Sequence, residues 1–359
     1  MGLLVRTVGR RPLLSLTTAV LGVLAMGATS CTIPPPPAGT ADDVRLENGN
    51  GNGNVRMLAF EWFTNDEAGD GSVIGVAPLD GSSPPVALQS FGERRHHWPR
   101  PSPDGSQILY ASDVKGHRGN LVNEFWIADI DGSNPTRILS LTPGDEQNKE
   151  LDYVNWGHLE WSPDGTEFVF AAQVAGDASF SIHKCGIDGT GHTRLTDGTE
   201  YSIDPSWHPD GRIVFIRIAD GIGIGNQEPW IMNSDGSGQT QLYDDTAQGR
   251  PEEADWDPFV SPNGMRLGLL RMIGALDWDN AVSNLDGTNW VRTADGSEVP
   301  GAGYSEPAWV TDNQIVVARS NVGGAQIVSY DPDDPAEKTV VLAGDAFNNY
   351  RGPAPYLVT

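Results

Sequence analysis

One stretch, Glu160-Trp161-Ser162-Pro163-Asp164-Gly165-Thr166-Glu167-Phe168-Val169-Phe170, returns in weakened form along most of the chain. The copies are Arg100-Pro101-Ser102-Pro103-Asp104-Gly105, Ser206-Trp207-His208-Pro209-Asp210-Gly211, Pro258-Phe259-Val260-Ser261-Pro262-Asn263-Gly264 and Ala308-Trp309-Val310-Thr311-Asp312-Asn313. Their turn Asp or Asn recurs about every fifty residues, the period of a four-stranded propeller blade. Each copy reads as a strand ended by a tight turn, in which Pro presets φ and Gly accepts a positive φ. A second strand follows with alternating apolar residues: Ile108/Tyr110, Phe168/Phe170, Ile213/Phe215, Leu267/Leu269 and Ile315/Val317. A third strand then closes on another Asp-Gly pair, at Asp80, Asp131, Asp188, Asp235 and Asp286. Short polar segments such as Thr193-Arg194-Leu195-Thr196 suit an outer edge that must resist pairing with other chains. Asn263 replaces one turn Asp, and Asp312-Asn313 lacks both Pro and Gly.

This pattern resembles the TolB-type β-propeller repeat, a WD-like family, over roughly residues 55 to 359. The resemblance implies an all-β fold, and function remains open because propellers host unrelated activities. The first blade has second and third strands, at Met57 to Trp62 and Ser72 to Ala77, but no first strand. Gly352-Pro353-Ala354-Pro355-Tyr356-Leu357-Val358 aligns with the first strands that begin Asp204-Pro205 and Glu306-Pro307, so the two termini should share one blade. The expected architecture is a six-bladed β-propeller closed by pairing of its N- and C-terminal strands, which removes the open edge. Seven blades is the alternative, with an extra hairpin between Ser140 and Gly157.

Residues 1–31 read as a lipoprotein-type signal peptide and lipidation site: Arg6, Arg10 and Arg11 precede an apolar run from Leu13 to Met26, too short for an ordinary span. Ala28-Thr29-Ser30-Cys31 looks like a bacterial lipoprotein processing site, with Cys31 lipidated and Ala28 where Leu is usual. Gly9-Arg10-Arg11-Pro12-Leu13-Leu14 also resembles a twin-arginine export signal. Residues 32–54, with Pro34 to Pro37 and an alternating Asn/Gly tract, have the composition of a disordered tether with a reach of roughly 25 to 30 Å. The chain carries a formal charge of −25, and losing residues 1–30, with three arginines and no acid, takes it to −28. Such a surface repels nucleic acid and anionic headgroups, which leaves the lipid anchor as the only membrane contact.

The residue six places before each turn Asp or Asn is Trp98, His158, Asp204, Asp257 or Glu306, and the repeat puts it at the start of the innermost strand, at a channel mouth. Three acids there would suit a cation or a basic segment, or else serve as caps in the turns that Asp-Pro and Glu-Pro favour. In propeller-type lyases that act on acidic sugars, histidines hold a metal there, and His96, His97 and His158 could converge likewise. No histidine pair has metal-helix spacing, so no metal and no cofactor is expected. Asp129-Ile130-Asp131-Gly132 and Asp331-Pro332-Asp333-Asp334 read as turns rather than calcium loops, and Gly221 to Gly225 as a hairpin loop rather than a dinucleotide fingerprint. Cys185 occupies the slot held elsewhere by Ala77, Ala128, Met232 and Ser283, an inert core thiol with no disulfide partner. There is no nucleophile elbow and no phosphate-binding loop. The reading is a monomeric, lipid-anchored cell-envelope propeller that binds a protein, peptide or glycan without catalysis. The alternative is a polysaccharide lyase or hydrolase with its site at the channel mouth.

Overall fold

The structure is a computed structural model describing residues 55–64, 71–88, 95–113, 124–140, 151–218, 227–245, 247, 249, 253–273, 277–294, 304–319, 325–344 and 348–358. The signal peptide, Cys31, the 32–54 tether and the Gly221–Gly225 loop lie outside the described residues. At His158 and Glu306 the description covers the backbone alone.

Six four-stranded antiparallel sheets make up the ring. The first contains β1 (Val55–Thr64), β2 (Gly71–Pro78) and β3 (Val86–Ala87). The second is β4 (Arg95–Pro101), β5 (Gln107–Asp113), β6 (Glu124–Asp129) and β7 (Thr136–Ser140). The third runs β8 (Leu151–Trp161), β9 (Glu167–Val174), β10 (Ser181–Gly186) and β11 (Thr193–Arg194). The fourth is β12 (Tyr201–Trp207), β13 (Ile213–Ile218), β14 (Gln227–Met232) and β15 (Thr240–Gln241). The fifth is β16 (Glu253–Val260), β17 (Arg266–Ile273), β18 (Asp277–Asn284) and β19 (Val291–Ala294). The sixth is β20 (Tyr304–Thr311), β21 (Gln314–Arg319), β22 (Gln326–Asp331) and β23 (Asp334–Leu342). Finally β24 (Asn348–Val358) lies beside β1, so the first blade has the order β24-β1-β2-β3. Its register sets Val55 against Val358 and Ala59 against Ala354, and the ring closes with strands from both ends of the chain. Among the described residues there are six blades and no seventh: β7 ends at Ser140, and β8, from Leu151, is already the innermost strand of the next sheet.

In blades 2 to 5 the motif residues hold the first turn by side-chain hydrogen bonds. Ser162 Oγ donates to Asp164 Oδ1 at 2.6 Å, and Asp164 Oδ1 accepts the Thr166 amide at 3.1 Å. These bonds, the hydroxyl of Ser162 first, hold the Asp164 carboxyl below its usual range. Asn263 performs the same task, accepting from Ser261 Oγ and from the Met265 amide at 2.9 Å each. Gly165 sits at φ +71°, which explains why the motif ends in glycine. Neighbouring turns are also joined, by His208 Nε2 donating to Gly264 O at 3.0 Å and by the Asn263 amide donating to Asp312 Oδ1 at 2.9 Å.

The second strands are buried on both faces, not one. Phe168, Val169, Phe170, Ala171 and Ala172 are all buried, with Phe168 and Phe170 packed toward blade 2 and Val169 and Ala171 toward blade 4. The core is therefore six apolar seams between neighbouring blades, such as Met57, Ala59 and Val76 against Ile108 and Tyr110. Cys185 lies fully buried in the seam between blades 2 and 3, as a core thiol whose Sγ is 3.3 Å from Thr190 O.

Candidate functional site

The innermost strands β4, β8, β12, β16, β20 and β24 line the channel, and each carries an irregularity at the same level. The register shifts fall between His97 and Arg100, Val154 and Leu159, Ile203 and Ser206, Trp256 and Phe259, and Ser305 and Ala308. In blade 1 the shift falls on β24 between Arg351 and Ala354, opposite Glu61 and Ala59 of β1. Five of the six hold a proline there, Pro99, Pro205, Pro258, Pro307 and Pro353. Proline has no amide hydrogen to give the ladder, so the strand must bulge where it stands. The residue before it takes up the kink: Trp98, Asp204 and Asp257 have φ of 50°, 51° and 49°. Left-handed backbone suits aspartate far better than tryptophan, so Trp98 carries strain of roughly 1–3 kcal/mol. Its neighbours hold it, since its amide donates to Glu61 Oε1 at 2.7 Å and its ring packs in the seam with Leu159 and Trp161.

The five positions singled out in the sequence are thus equivalent, but they do not begin the innermost strands. Those strands start two to seven residues earlier, and Trp98, His158, Asp204, Asp257 and Glu306 sit at the bulge within the strand. Asp204 is buried and Asp257 half-buried. His96 and His97, adjacent on β4, lie apart in contact: His96 meets the edge of Tyr110 at 5.3 Å, whereas His97 Nδ1 is 3.5 Å from Glu61 Oε1. Among the described residues no group of three or more His, Cys, Asp or Glu is arranged to hold a metal ion.

Past the bulge, toward the Ser-Pro-Asp-Gly turns, lies a socket of about 340 Å³ with walls from all six blades. Its lining includes Trp161, Trp207, Trp309 and Phe259, seven prolines from Pro101 to Pro355, and two charged side chains, Arg100 and Glu160. The alternation of the strand explains which residues meet there. Four places before the turn Asp or Asn stand Arg100, Glu160, Phe259 and Ala308, all in the lining, and one place later stand the tryptophans of blades 3, 4 and 6. Arg100 comes from blade 2 and its guanidinium carbon lies 5.8 Å from the ring centre of Phe259 on blade 5, the blade opposite in a ring of six. This cation–π contact spans the channel and forms the floor of the socket.

Two of the three wall tryptophans are tied to the blade before them. Trp161 Nε1 donates to Arg100 O at 2.7 Å and Trp309 Nε1 to Phe259 O at 2.9 Å. Trp207 is 7% exposed, and its indole N–H finds no acceptor among the described residues. The sequence motif points to these tryptophans only as blade markers. The position four residues before each turn Asp or Asn was the available signal for Arg100, Glu160 and Phe259.

A second polar centre lies between blades 4 and 5. Arg271, fully buried on β17, makes ion pairs with Asp255 and with Asp245, the latter at 3.0 Å, and lies 5.1 Å from the ring centre of Trp290. Tyr243 donates to Asp255 Oδ2 at 2.7 Å, and the Asp245 amide is 3.2 Å from both carboxylate oxygens of Glu228. Burial, then the charge of Asp245, pushes the Glu228 carboxyl up to about 8, and burial also raises Asp255 against the pull of Arg271. On blade 3, His183 stacks on His192 and is 2.9 Å from Ser181 Oγ, and burial followed by the charge of His192 pushes it down to about 3. None of these residues lines the socket.

No protein-family model matches the chain. It is 34% identical over 136 residues to an uncharacterised protein of Agrobacterium fabrum, across 38% of this chain and 42% of that one. The chain thus spans less than half the length of the curated relatives it matches. TolB from Acinetobacter baumannii superposes with a TM-score of 0.62 at 15% identity, covering 83% of this chain and 66% of TolB. The fold is the six-bladed propeller of TolB. A hydrazine synthase chain from Kuenenia stuttgartiensis gives a TM-score of 0.63 at 14% identity, over 85% of this chain and 47% of the other. One ring therefore supports unlike activities, and function has to be argued from the site.

Proposed function

We propose that this chain is a non-catalytic binding module of the bacterial cell envelope, anchored through a lipid on Cys31, that receives an extended segment of a partner protein in its turn-face socket. The observation that carries the reading is the chemistry of that socket: indole faces and proline rings around a space of about 340 Å³, with Arg100 and Phe259 as its floor. That volume is at the small end for a ligand site and suits three or four residues of peptide. Aromatic grooves of this kind recognise chains already extended before binding, because little conformational entropy remains to be lost. Deeper in the channel, Asp204, Asp257 and Glu306 stand at the bulge, and in this reading they favour a segment with a cationic side chain. The likeness to TolB in fold and the export-type amino terminus support an envelope location.

Filling the socket tests the proposal without removing any hydrogen bond. Ala308 lines it, and Ala308→Trp would occupy most of the space that a peptide needs. With photocrosslinkers in the turn residues, the native chain should capture an envelope protein that Ala308→Trp fails to capture, while membrane fractionation of both depends equally on Cys31. Turnover of an acidic polysaccharide by the native chain, abolished by the same substitution, would instead establish the lyase alternative.

A further inference from the structure

We propose that Glu228 is a proton-dependent latch that holds the outer edge of blade 4 to the seam with blade 5. With its proton in place the latch is shut. Without it, the stretch from Leu242 to Asp245 lifts away, and the cluster around Arg271 gives up one of its carboxylates.

The hydrogen bonding shows where a latch is needed. The outermost strand of blade 4, β15, pairs with β14 at two positions, Trp230 with Gln241 and Ile231 with Thr240. One further main-chain bond, from the Leu242 amide to Pro229 O at 2.9 Å, ends the ladder, because proline has no amide hydrogen to return. Beyond it the chain is held through side chains. The Asp245 amide lies 3.2 Å from both carboxyl oxygens of Glu228, the Tyr243 hydroxyl donates to Asp255, and the Asp245 carboxylate pairs with Arg271. Glu228 is half-buried, whereas Tyr243, Asp245, Asp255 and Arg271 are buried.

A count of charges sets the protonation of Glu228. Arg271 faces two carboxylates, Asp245 and Asp255, so these three groups already carry one net negative charge. Asp279, opposite Arg271 in the register of β17 and β18, is balanced by Arg292 of β19. Arg217, paired with Glu228 across β13 and β14, turns to Glu200 and Gln239 and stacks over Trp230. Exposed Asp244 adds another negative charge to the field at Glu228. An ionised Glu228 would thus be a second uncompensated charge in a seam that holds little water. Burial, then the charge of Asp245, accordingly pushes its carboxyl up to about 8. Releasing Asp245 removes the conflict, because Arg271 and Asp255 remain as a balanced pair while the two other carboxylates reach water.

A carboxyl raised in the closed state contributes stability that is fully present below its ordinary value of 4.5 and is lost as pH rises to about 8. Opening therefore becomes easier by up to about tenfold per pH unit across that window and levels off above it. Asp255, raised to about 6 by burial against the pull of Arg271, titrates in the lower part of the window. Tyr243, raised well above 10 by burial, keeps its proton throughout.

The test is NMR hydrogen exchange of the Asp245 amide, expressed as protection relative to the intrinsic rate at each pH, in the full native chain and in Glu228→Gln. From pH 6.5 to pH 8 protection in the native chain should fall by at least about fivefold, a discount on the full linkage for a half-exposed group. It should stay level in Glu228→Gln, which keeps an acceptor for the amide and has no proton to lose. At pH 8 the native Asp245 amide should also exchange at least about tenfold faster than amides of β13, which lies between two strands, because the release is local. Level protection in the native chain overturns the latch. An equal fall in Glu228→Gln overturns it too and assigns the pH dependence to Asp255. A carbon-13 titration of the native Glu228 carboxyl gives a reading that needs no variant, and a midpoint at the ordinary 4.5 would end the proposal.

Discussion

Replacing Arg271 by Met should destabilise the ring strongly at neutral pH and progressively less as the solution is acidified. The guanidinium is fully buried and faces Asp245 and Asp255, which are 1% and 0% exposed. Methionine fills much of the volume but leaves two carboxylates facing each other in a low-dielectric seam, with Glu228 and Tyr243 close by. Removing one partner of a buried ion pair costs about 3–5 kcal/mol, most of it the uncompensated charge. For a domain of this size that corresponds to a fall in Tm of about 5–15 °C. Without Arg271 the folded-state carboxyl pKa values rise, so the folded protein takes up protons that the unfolded chain has released. The stability so gained is fully present below the unfolded carboxylate range near 4 and is lost as pH rises through the raised values. Urea unfolding of both proteins at pH 7.5 and pH 5 should show the deficit shrinking at pH 5, by at most about 1.4 kcal/mol per pH unit for each proton taken up. A deficit that is absent at pH 7.5, or that grows on acidification, would refute the assignment of these groups as a charge-balanced cluster.

Glu228→Gln should leave stability unchanged below pH 4.5 and raise it by about 1–3 kcal/mol at pH 8 after allowance for solvent screening, because the native carboxyl, raised to about 8, loses its stabilising contribution across that window. Thermal melts across the pH range check this, and parallel curves for the two proteins would count against it. Truncation before Gly352 uncovers Leu58 and Ala59, both fully buried where β1 lies beside β24, and opens two sheet edges. A leucine contributes about 1.5–3 kcal/mol when buried and an alanine methyl about 0.8 kcal/mol, so calorimetry should show a broad, low-temperature transition, and an unchanged sharp one would contradict the closure. The triple variant Asp204→Asn, Asp257→Asn, Glu306→Gln should stay folded, since Asn accepts left-handed backbone as Asp does. Its association with a basic peptide should lose its salt dependence, and retained salt dependence would place the binding field elsewhere.

The blades were legible because each turn has a local cause: Pro, Asp and Gly at fixed spacing hold the same hydrogen bonds wherever they recur. Ring closure was legible for a similar reason, since Gly352 to Val358 repeats the first-strand pattern that the Met57 blade lacks. The level of Asp204, Asp257 and Glu306 followed from spacing too, but their place within the strand did not, because the missing amide of the next proline, and not a strand end, sets it. The socket was hidden by a different cause. Arg100 and Phe259 meet from opposite blades and are far apart in sequence, and the free indole of Trp207 is a difference from Trp161 and Trp309 that only packing reveals. Likewise the Arg271 centre draws Glu228, Asp245 and Asp255 from separate elements, none with a motif of its own.

Hydrogen–deuterium exchange of the chain, alone and with its captured envelope partner, addresses the binding surface most directly. The expected protection on partner binding falls on the turn ends of the innermost strands, at residues 101–106, 161–166, 207–212, 259–264 and 308–313, together with 353–355. Protection confined to the outer strands β3, β7, β11, β15, β19 and β23, or to the opposite mouth, would contradict a partner segment seated in the socket.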